Sequence, residues 1–209
     1  MPLEKTSSAR RQPQQQRGLK RVERLLASAA EVFAKHGYAA ATMTEIAAKA
    51  RASIGSLYQF FPNKHSLAIA LLERYDYLLM HNFKALAARA ADLTIAQLAA
   101  SLLHQLSDLK CQREAVLALL TSPGALGEQR KVLRQRLESG IIQVLLAHTP
   151  GLAPETCQAI AQWVAIQLKA AAALPEGLSP VQVAAIYREL GEALQLYLQM
   201  KLPHSVAQV

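Results

Sequence analysis

Apolar residues recur at helical spacing in one segment after another, and this periodicity constrains the fold of the chain more than any other feature. Leu67, Leu71 and Tyr75 form one such stripe, and breakers such as Pro62 and Gly177 separate successive segments. No stretch alternates apolar and polar residues as a half-buried strand does. The sequence therefore predicts an all-α fold of about nine helices.

Composition excludes several classes of protein. Of the 209 residues, 52% are hydrophobic, which is too many for a disordered chain and enough for a substantial core. The apolar stretch 156–168 is too short to cross a bilayer, and the N-terminus lacks the apolar segment of a secretory signal. Cys111 and Cys157 show no metal-ligand spacing and suit buried positions. We expect a cytoplasmic protein with no metal and no cofactor.

The basic charge is concentrated near the N-terminus. Residues 1–64 hold 11 basic and four acidic side chains, a net charge of +7 out of +8 for the chain. This asymmetry indicates a module that binds a polyanion, although a solvated basic tail has the same composition. Residues 1–17 read as a flexible arm, in which Arg10, Arg11 and Arg17 either enter a minor groove or add only salt-dependent affinity for DNA.

Residues 18–64 predict a domain of three helices. The first helix begins after Gly18 and ends at Gly37. Thr42 and Glu45 have the spacing of a capping box at the start of a short second helix. Ser53 can cap the third helix after a tight connection of two residues.

The second and third helices have the properties of a helix-turn-helix unit. Ala47 is small enough for a close helix crossing, and Leu57 and Phe60 are predicted to face inward. Phe33, Ile46 and Ala47 complete this predicted core. The outer face of the third helix is small and polar around Gly55, Ser56 and Gln59, which suits entry into a major groove.

Four motifs in this region are similar to a known family. The segments are Ala30–Tyr38 (AEVFAKHGY), Thr42–Ala47 (TMTEIA), Ser53–Phe61 (SIGSLYQFF) and Asn63–Leu67 (NKHSL). Over residues 21–75 the chain resembles the DNA-binding domain of the TetR family of bacterial transcriptional regulators. The resemblance implies a symmetric dimer that binds a palindromic operator and is usually released by a small ligand in a larger C-terminal domain.

The resemblance also implies roles for individual residues. Thr44 matches a position that reaches a phosphate or base edge, Tyr58 one whose hydroxyl meets a phosphate, and Gln59 one that reads a base. Lys64 matches a lysine that lies against a phosphate at a helix start. The full predicted DNA-binding set is Thr44, Arg51, Ser53, Ile54, Gly55, Ser56, Tyr58, Gln59 and Lys64.

Two positions depart from the family pattern. Arg51 stands in the turn where glycine is common, so a left-handed backbone there costs roughly 1 kcal/mol, and its side chain gains a phosphate contact in return. Ile54 occupies a position that is often polar or basic, so its contact is either apolar or absent.

Residues 65–209 are predicted to form a regulatory and dimerisation domain. The helix from Pro154 is apolar almost all round, which favours a subunit interface behind it, although a monomer core is the alternative. The last helix carries a seam with coiled-coil-like spacing. The predicted interface residues are Trp163, Val183, Tyr187, Leu190, Leu194 and Tyr197.

A ligand site is implied by the resemblance and only weakly located by the sequence. Polar groups within apolar helices that suit its lining are Tyr75, His81, His104, Gln105 and Gln167. The scarcity of acidic residues on these faces favours a neutral or anionic ligand that is largely apolar.

The leading hypothesis is therefore a dimeric repressor that binds a palindromic operator and is released by a ligand. The alternative is a ligand-independent structural DNA-binding or protein-interaction factor on the same fold, which a C-terminal core without a cavity would favour. The sequence shows no nucleophile elbow, phosphate loop or zinc-binding HExxH motif, so an enzyme is not expected.

Overall fold

The computed structural model describes residues 11–107, 110–121, 126–174 and 177–202, with the side chains of 11–16 and 106–112 left undescribed. Within these ranges it contains nine α-helices and no strand, which confirms the predicted all-helical class. The helices are α1 (Arg11–Ala40), α2 (Met43–Lys49), α3 (Ile54–Phe60), α4 (Lys64–Ala87), α5 (Ile95–Ser107), α6 (Lys110–Thr121), α7 (Gly127–His148), α8 (Pro154–Ala172) and α9 (Pro180–Lys201).

Contacts among the described residues divide the chain into two units. The first runs to Leu71 and includes Glu114–Leu126, and the second holds Leu72–Arg113 and the described residues from Gly127 onward. The functional division into an arm (1–17), a DNA-binding domain (18–64) and a regulatory domain (65–209) remains a prediction. No helix of the described part is both long and apolar enough to cross a membrane.

Helix α1 begins earlier than the sequence predicts. It includes Arg11 and Arg17, so the predicted start after Gly18 is wrong, whereas Arg10 and the rest of residues 1–10 lie outside the described residues. Pro13 falls in the first turn, where its missing N–H costs no helical hydrogen bond. The predicted stop at Gly37 is confirmed as a sharp break, because Gly37 has φ 73° and ψ 167°, a conformation that glycine adopts without a Cβ clash.

The first unit packs α1 against α2 and α2 against α3. Thr42 caps α2 by accepting a hydrogen bond from the Glu45 amide at 3.2 Å, and Ser53 caps α3 through the Ser56 amide at 3.2 Å. Both caps were expected from the sequence, although the Glu45 carboxylate pairs with His36 at 2.9 Å.

The predicted inward face of α3 is half right. Leu57 is fully buried, but Phe60 is 37% exposed, and Phe61 is the aromatic residue that packs inside at 7%. Phe61 has left the helix, with φ −134° and ψ 102°, because Pro62 disfavours a helical residue before it. The extended backbone directs the Phe61 ring to the core that helical periodicity had assigned to Phe60.

The second unit contains the C-terminal part of α4, from Leu72 onward, together with α5, α7, α8 and α9. Helix α4 ends at Ala87 rather than near Ala91, and a single 3-10 turn, Ala90–Asp92, follows it and packs on α7. Helix α8 packs on α7, and α9 packs on α5 and α8. The buried faces of α8 and α9 centre on Val164, Leu168, Leu194 and Leu198.

Candidate DNA-binding face and effector cavity

The turn between α2 and α3 is held by two backbone hydrogen bonds. The Ala52 N–H donates to the Ala47 carbonyl at 2.9 Å, and the Arg51 N–H donates to the Ala48 carbonyl at 3.0 Å. This pair of bonds is the Schellman arrangement that ends a helix through a left-handed residue. Arg51 is that residue, with φ 51°, so the left-handed conformation suspected from the sequence is present at a non-glycine position.

Helix α3 leaves the turn with an exposed outer face. Ile54 is 40% and Tyr58 49% exposed, and Gly55 and Gln59 are also exposed. Thr44 lies exposed in the first turn of α2, and Arg51 and Ser53 lie exposed between the two helices. Seven residues of the predicted DNA-binding set thus share accessible positions on α2, the turn and α3, as a helix that enters a groove requires.

Ser56 differs from the rest of this set. Its hydroxyl oxygen is buried and has no hydrogen-bond partner within the described part of the chain. A buried hydroxyl cannot reach a base or phosphate unless its rotamer changes, so the predicted contact of Ser56 is not supported by its position.

Lys64 is engaged in a different way from the one its family position implies. Its ammonium donates to the carbonyl oxygens of Tyr38 at 2.7 Å, Ala39 at 2.9 Å and Ala41 at 2.9 Å. It also lies 4.8 Å from the centre of the Tyr38 ring. Because an ammonium has three N–H donors, all three are directed at the chain that follows Gly37. The structure gives Lys64 a structural contact that the sequence did not suggest, and its phosphate contact stays a prediction.

Ion pairs involve some of the charged residues near the exposed face formed by α2, the turn and α3, which is called the reading face below. Lys49 pairs with Glu31 of α1 at 2.6 Å, and His36 pairs with Glu45 at 2.9 Å. Both pairs join α1 to α2 and are roughly half exposed, so each stabilises the packing only modestly. Glu31 thus offsets the charge of Lys49 locally, an offset that the net count of +7 already includes.

The second unit contains a cavity of about 790 Å³ between α5, α9 and the segment before α9. Leu103, Leu178 and Val183 contribute to an apolar wall, and His104, Arg113, Tyr187 and Arg188 bring polar groups to it. The Arg113 guanidinium donates to the Tyr187 hydroxyl at 3.5 Å, and that hydroxyl donates to the Ala171 carbonyl at 3.1 Å.

The predicted ligand residues do not converge on this cavity. His104 lines it, but Tyr75 is buried in the core, where burial raises the pKa of its hydroxyl to about 12 and nearby Arg113 partly opposes the increase. His81 is exposed and stacks on Tyr77, with ring centres 6.4 Å apart. Gln105 is buried and bonds to the Ser101 carbonyl of its own helix, and Gln167 is half-buried on α8. Nothing in the sequence singles out Arg113 and Arg188, since most arginines near helix ends point to water.

The predicted interface residues of α9 differ in burial. Leu194 is 1% exposed within the single chain and so offers little surface to a partner, whereas Val183 and Tyr187 line the cavity of the same unit. Leu190 is half-buried. A role of Val183, Tyr187 and Leu190 at a subunit interface stays a prediction, because a 4-3 spacing does not distinguish a partner subunit from neighbouring helices of the same chain.

Helices α8 and α9 also carry exposed apolar side chains, which lie next to the buried ones. Ile166 of α8 is 61% exposed, and Leu196 and Met200 of α9 are exposed to a similar or greater extent. Trp163 and Tyr197, both predicted interface residues, are half-buried beside it and stack with ring centres 3.9 Å apart. This set, Trp163, Ile166, Leu196, Tyr197 and Met200, is called the α8–α9 face below.

The sequence of residues 25–71 matches the model for bacterial regulatory proteins of the tetR family. These residues run from α1 through α3 into α4 and contain the Schellman turn and the exposed face of α3. A comparison with curated protein sequences finds no match.

Solved structures share the fold over most of the chain. Salmonella enterica GusR is 16% identical, covers 88% of this chain with 96% of its own, and has a TM-score of 0.68. SmeT, the repressor of the Stenotrophomonas maltophilia multidrug efflux pump SmeDEF, is 20% identical over 90% of this chain and 93% of its own, with a TM-score of 0.64. The transcriptional regulator FadR from Bacillus subtilis, in complex with stearoyl-CoA, is 16% identical over 82% of this chain and 96% of its own, with a TM-score of 0.65. At these identities the likeness establishes the fold alone.

Proposed function

Because the chain belongs to the TetR family of bacterial transcriptional regulators, we propose that it is a dimeric repressor, which binds a palindromic operator and is released by a small-molecule ligand. The observation that carries the proposal is the Schellman turn at Arg51, which presents the exposed face of α3 beyond α2. A helix presented in this way fits a major groove, where base pairs show distinct donor and acceptor patterns.

The residues of the reading face have two roles in this proposal: some contact the phosphate backbone, and others select bases. Tyr58 and Thr44 offer hydroxyls, and Arg51 a guanidinium, to phosphates beside the groove. Gln59 offers an amide, which pairs with the N6 and N7 atoms of adenine. The net charge of +7 on residues 1–64 supplies attraction that does not depend on sequence and weakens with salt.

A second copy of the chain is needed to read a palindrome, and the α8–α9 face supports dimer formation. Its residues Ile166, Leu196 and Met200 are exposed in the single chain, and the whole face lies on two helices that pack against each other. Two such pairs of helices can form a four-helix interface around a two-fold axis. The half-sites of the operator are then spaced by the separation of the two α3 helices.

Release by a ligand is supported by the cavity in the second unit. A volume of about 790 Å³ with an apolar wall and few polar groups is typical of small-molecule sites. Some conformers of the dimer hold the two α3 helices at a distance that does not match the operator half-sites. A ligand that binds those conformers more tightly raises their population and so weakens operator binding. Direct binding of a ligand in this space distinguishes the proposal from the alternative, a ligand-independent factor.

The test is selection of duplex DNA from a random pool, followed by affinity measurements on the enriched sequence. We expect a palindrome to be enriched at moderate salt. Gln59→Ala should weaken binding to that palindrome about tenfold and relax selectivity at one base pair in each half-site. Gln143→Ala, an exposed glutamine of α7, is the matched control and should bind as the wild type does. Failure to enrich any palindrome would rule out sequence-specific repression.

A further inference from the structure

The N-terminal part of α1 presents a row of exposed basic side chains. Helix α1 begins at Arg11, so part of the segment expected to be a flexible arm is helical. Arg17, Lys20, Arg21 and Arg24 follow one another at intervals of three, one and three residues, which places them on one side of the helix. All four side chains are exposed. This row is called the α1 ridge below.

The charge of the α1 ridge is available to a partner. Residues 17–24 hold four basic side chains and one acidic side chain, Glu23, which lies at the edge of the ridge three residues after Lys20. Within the part of the chain that the structure describes, no side chain of the ridge takes part in an ion pair or hydrogen bond. An exposed cation without a partner in its own chain is free to bind an anionic group of another molecule.

The α1 ridge continues the face of α1 on which α2 packs. Arg24, Ser28 and Glu31 follow at intervals of four and three residues, so they share one face of the helix. Ser28 is buried, and Glu31 pairs with Lys49 of α2 at 2.6 Å. The same face is therefore covered from Ser28 onward and open from Arg24 towards the start of α1.

Two ion pairs fix the direction of α2 along α1. Glu45, near the start of α2, meets His36, whereas Lys49, at its end, meets Glu31. Because the later residue of α2 meets the earlier residue of α1, the two helices run antiparallel. The chain therefore leaves α2 in the direction of the α1 ridge, and the turn at Arg51 and the first residues of α3 follow on that side.

From this geometry we infer that the α1 ridge binds the phosphate backbone of the DNA beside the groove that α3 enters. The ridge spans seven residues, or about 10 Å of helix, along which one DNA strand presents about three phosphates. Contacts of this kind position the protein without reading the sequence. Arg17 then binds a phosphate from a helix rather than a minor groove from a flexible arm. The inference rests on the DNA binding of the proposed function and adds a contact surface to α2 and α3.

The first test measures the affinity of the full chain for the selected operator as a function of salt. The variant Lys20→Met/Arg21→Met removes two charges at exposed positions and keeps residues that favour a helix. We expect the slope of log K against log salt to become shallower by about two, since each phosphate contact contributes about 0.9. Lys20→Arg/Arg21→Lys keeps both charges and should retain the wild-type slope.

Lys84→Met/Arg89→Met is the matched control, because it removes one exposed lysine and one exposed arginine of the second unit. It should leave the salt slope as in the wild type. A slope that changes equally in the ridge variant and in this control, or in neither, overturns the inference.

A methylphosphonate scan of the operator separates direct contact from diffuse attraction. Each substitution removes the negative charge of one phosphate and should weaken wild-type binding about threefold where a side chain contacts that phosphate. In Lys20→Met/Arg21→Met, one or two of these positions should lose their effect. A shallower salt slope without any such position would mean that the ridge attracts DNA but does not contact it, and the inference would be wrong.

A scrambled duplex of the same length separates this inference from the proposed function. Phosphate contacts do not depend on sequence, so Lys20→Met/Arg21→Met should weaken binding to both duplexes, whereas Gln59→Ala should affect the operator alone. If no palindrome is enriched but the ridge variant still has a shallower slope on the scrambled duplex, the ridge stands and sequence-specific repression fails. If a palindrome is enriched and the ridge variant binds it as the wild type does, repression stands and the inference fails.

Discussion

Lys64 shows at the scale of one residue how position in a motif and contact in a structure can differ. Its three ammonium protons are directed at the carbonyls of Tyr38, Ala39 and Ala41, which follow the break at Gly37. Those carbonyls belong to the last residues of α1 and to the residue that follows it, just after the non-helical Gly37. Lys64 thus ties the start of α4 to the connection between α1 and α2.

Replacement of Lys64 by methionine separates a structural role from a phosphate contact. Lys64→Met keeps the aliphatic stem but removes the three hydrogen bonds, so the free energy of unfolding should fall by about 1–3 kcal/mol. The slope of log K against log salt for DNA binding should not change if the three carbonyl contacts are the whole role of Lys64. Urea unfolding and a salt titration of operator binding measure the two quantities.

Lys84→Met is the control for Lys64→Met, since Lys84 is an exposed lysine of the same helix. It should leave both stability and salt slope as in the wild type. A salt slope that is reduced by about one unit in Lys64→Met, with unchanged stability, would instead assign Lys64 to a phosphate.

Arg51 carries backbone strain at the turn before α3. The left-handed conformation at φ 51° costs a residue with a Cβ roughly 1–2 kcal/mol, which glycine avoids. Arg51→Gly should therefore raise the free energy of unfolding by about 0.5–1 kcal/mol, after the greater freedom of glycine in the unfolded chain is subtracted. If Arg51 also contacts a phosphate, the same variant binds DNA more weakly although it is more stable.

The control for Arg51→Gly is Ala48→Gly, an exposed position in the helical part of α2. Glycine there should lower stability by up to about 1 kcal/mol, because the conformation is helical. A free energy of unfolding that rises in Arg51→Gly and falls in Ala48→Gly would identify strain at Arg51. A fall in both variants would refute it.

At the scale of elements, the packing of α7 on α4 depends on the absence of one side chain. A Cβ added at Gly140 would lie 2.5 Å from Phe83 Cδ2 and 2.7 Å from Met80 Cε. Phe83 is fully buried and cannot move aside without disturbing the core. Gly140 therefore permits a close approach of the two helices.

Gly140→Ala should lower the free energy of unfolding by about 1–3 kcal/mol through overpacking. Gly127→Ala in the same helix has open space around the added Cβ and should be neutral or stabilising by up to about 1 kcal/mol. Thermal or urea unfolding of the two variants checks the prediction. Equal effects at both positions would mean that helix propensity, not packing, decides the role of Gly140.

Element type could be predicted from the sequence, but several boundaries and faces could not. Caps at Thr42 and Ser53 are local, since their hydrogen bonds reach only three residues along the chain. The choice between Phe60 and Phe61 depends on where the helix gives way before Pro62, and a shift of one residue exchanges the buried ring for the exposed one.

For the whole molecule, the proposed dimer is the feature to test. The α8–α9 face is apolar and exposed in the single chain, and a stable dimer would bury it. Ile166→Glu should raise the dissociation constant of the dimer by about 100-fold or more, because association would bury an unpaired charge. Analytical ultracentrifugation measures the constant, and operator affinity should fall with the dimer population.

Val132→Glu is the matched control for Ile166→Glu. Val132 is an exposed β-branched residue on α7, outside the α8–α9 face, and 46% of its surface is accessible. This variant should dimerise as the wild type does. A dimer that tolerates Ile166→Glu but not Val132→Glu would place the interface elsewhere.

The sequence by itself determined the features that depend on neighbours in the chain. Helical periodicity, capping residues and the breaks at Gly37 and Pro62 act within a few residues, so they fixed the all-helical class and the helix-turn-helix motif. Tertiary structure alone decided which polar groups meet. It directed Lys64 to backbone carbonyls, brought Arg113 beside Tyr187, which is 74 residues away in sequence, and buried Leu194 within its own subunit. Such contacts depend on the positions of distant helices, which residue spacing along one helix does not encode.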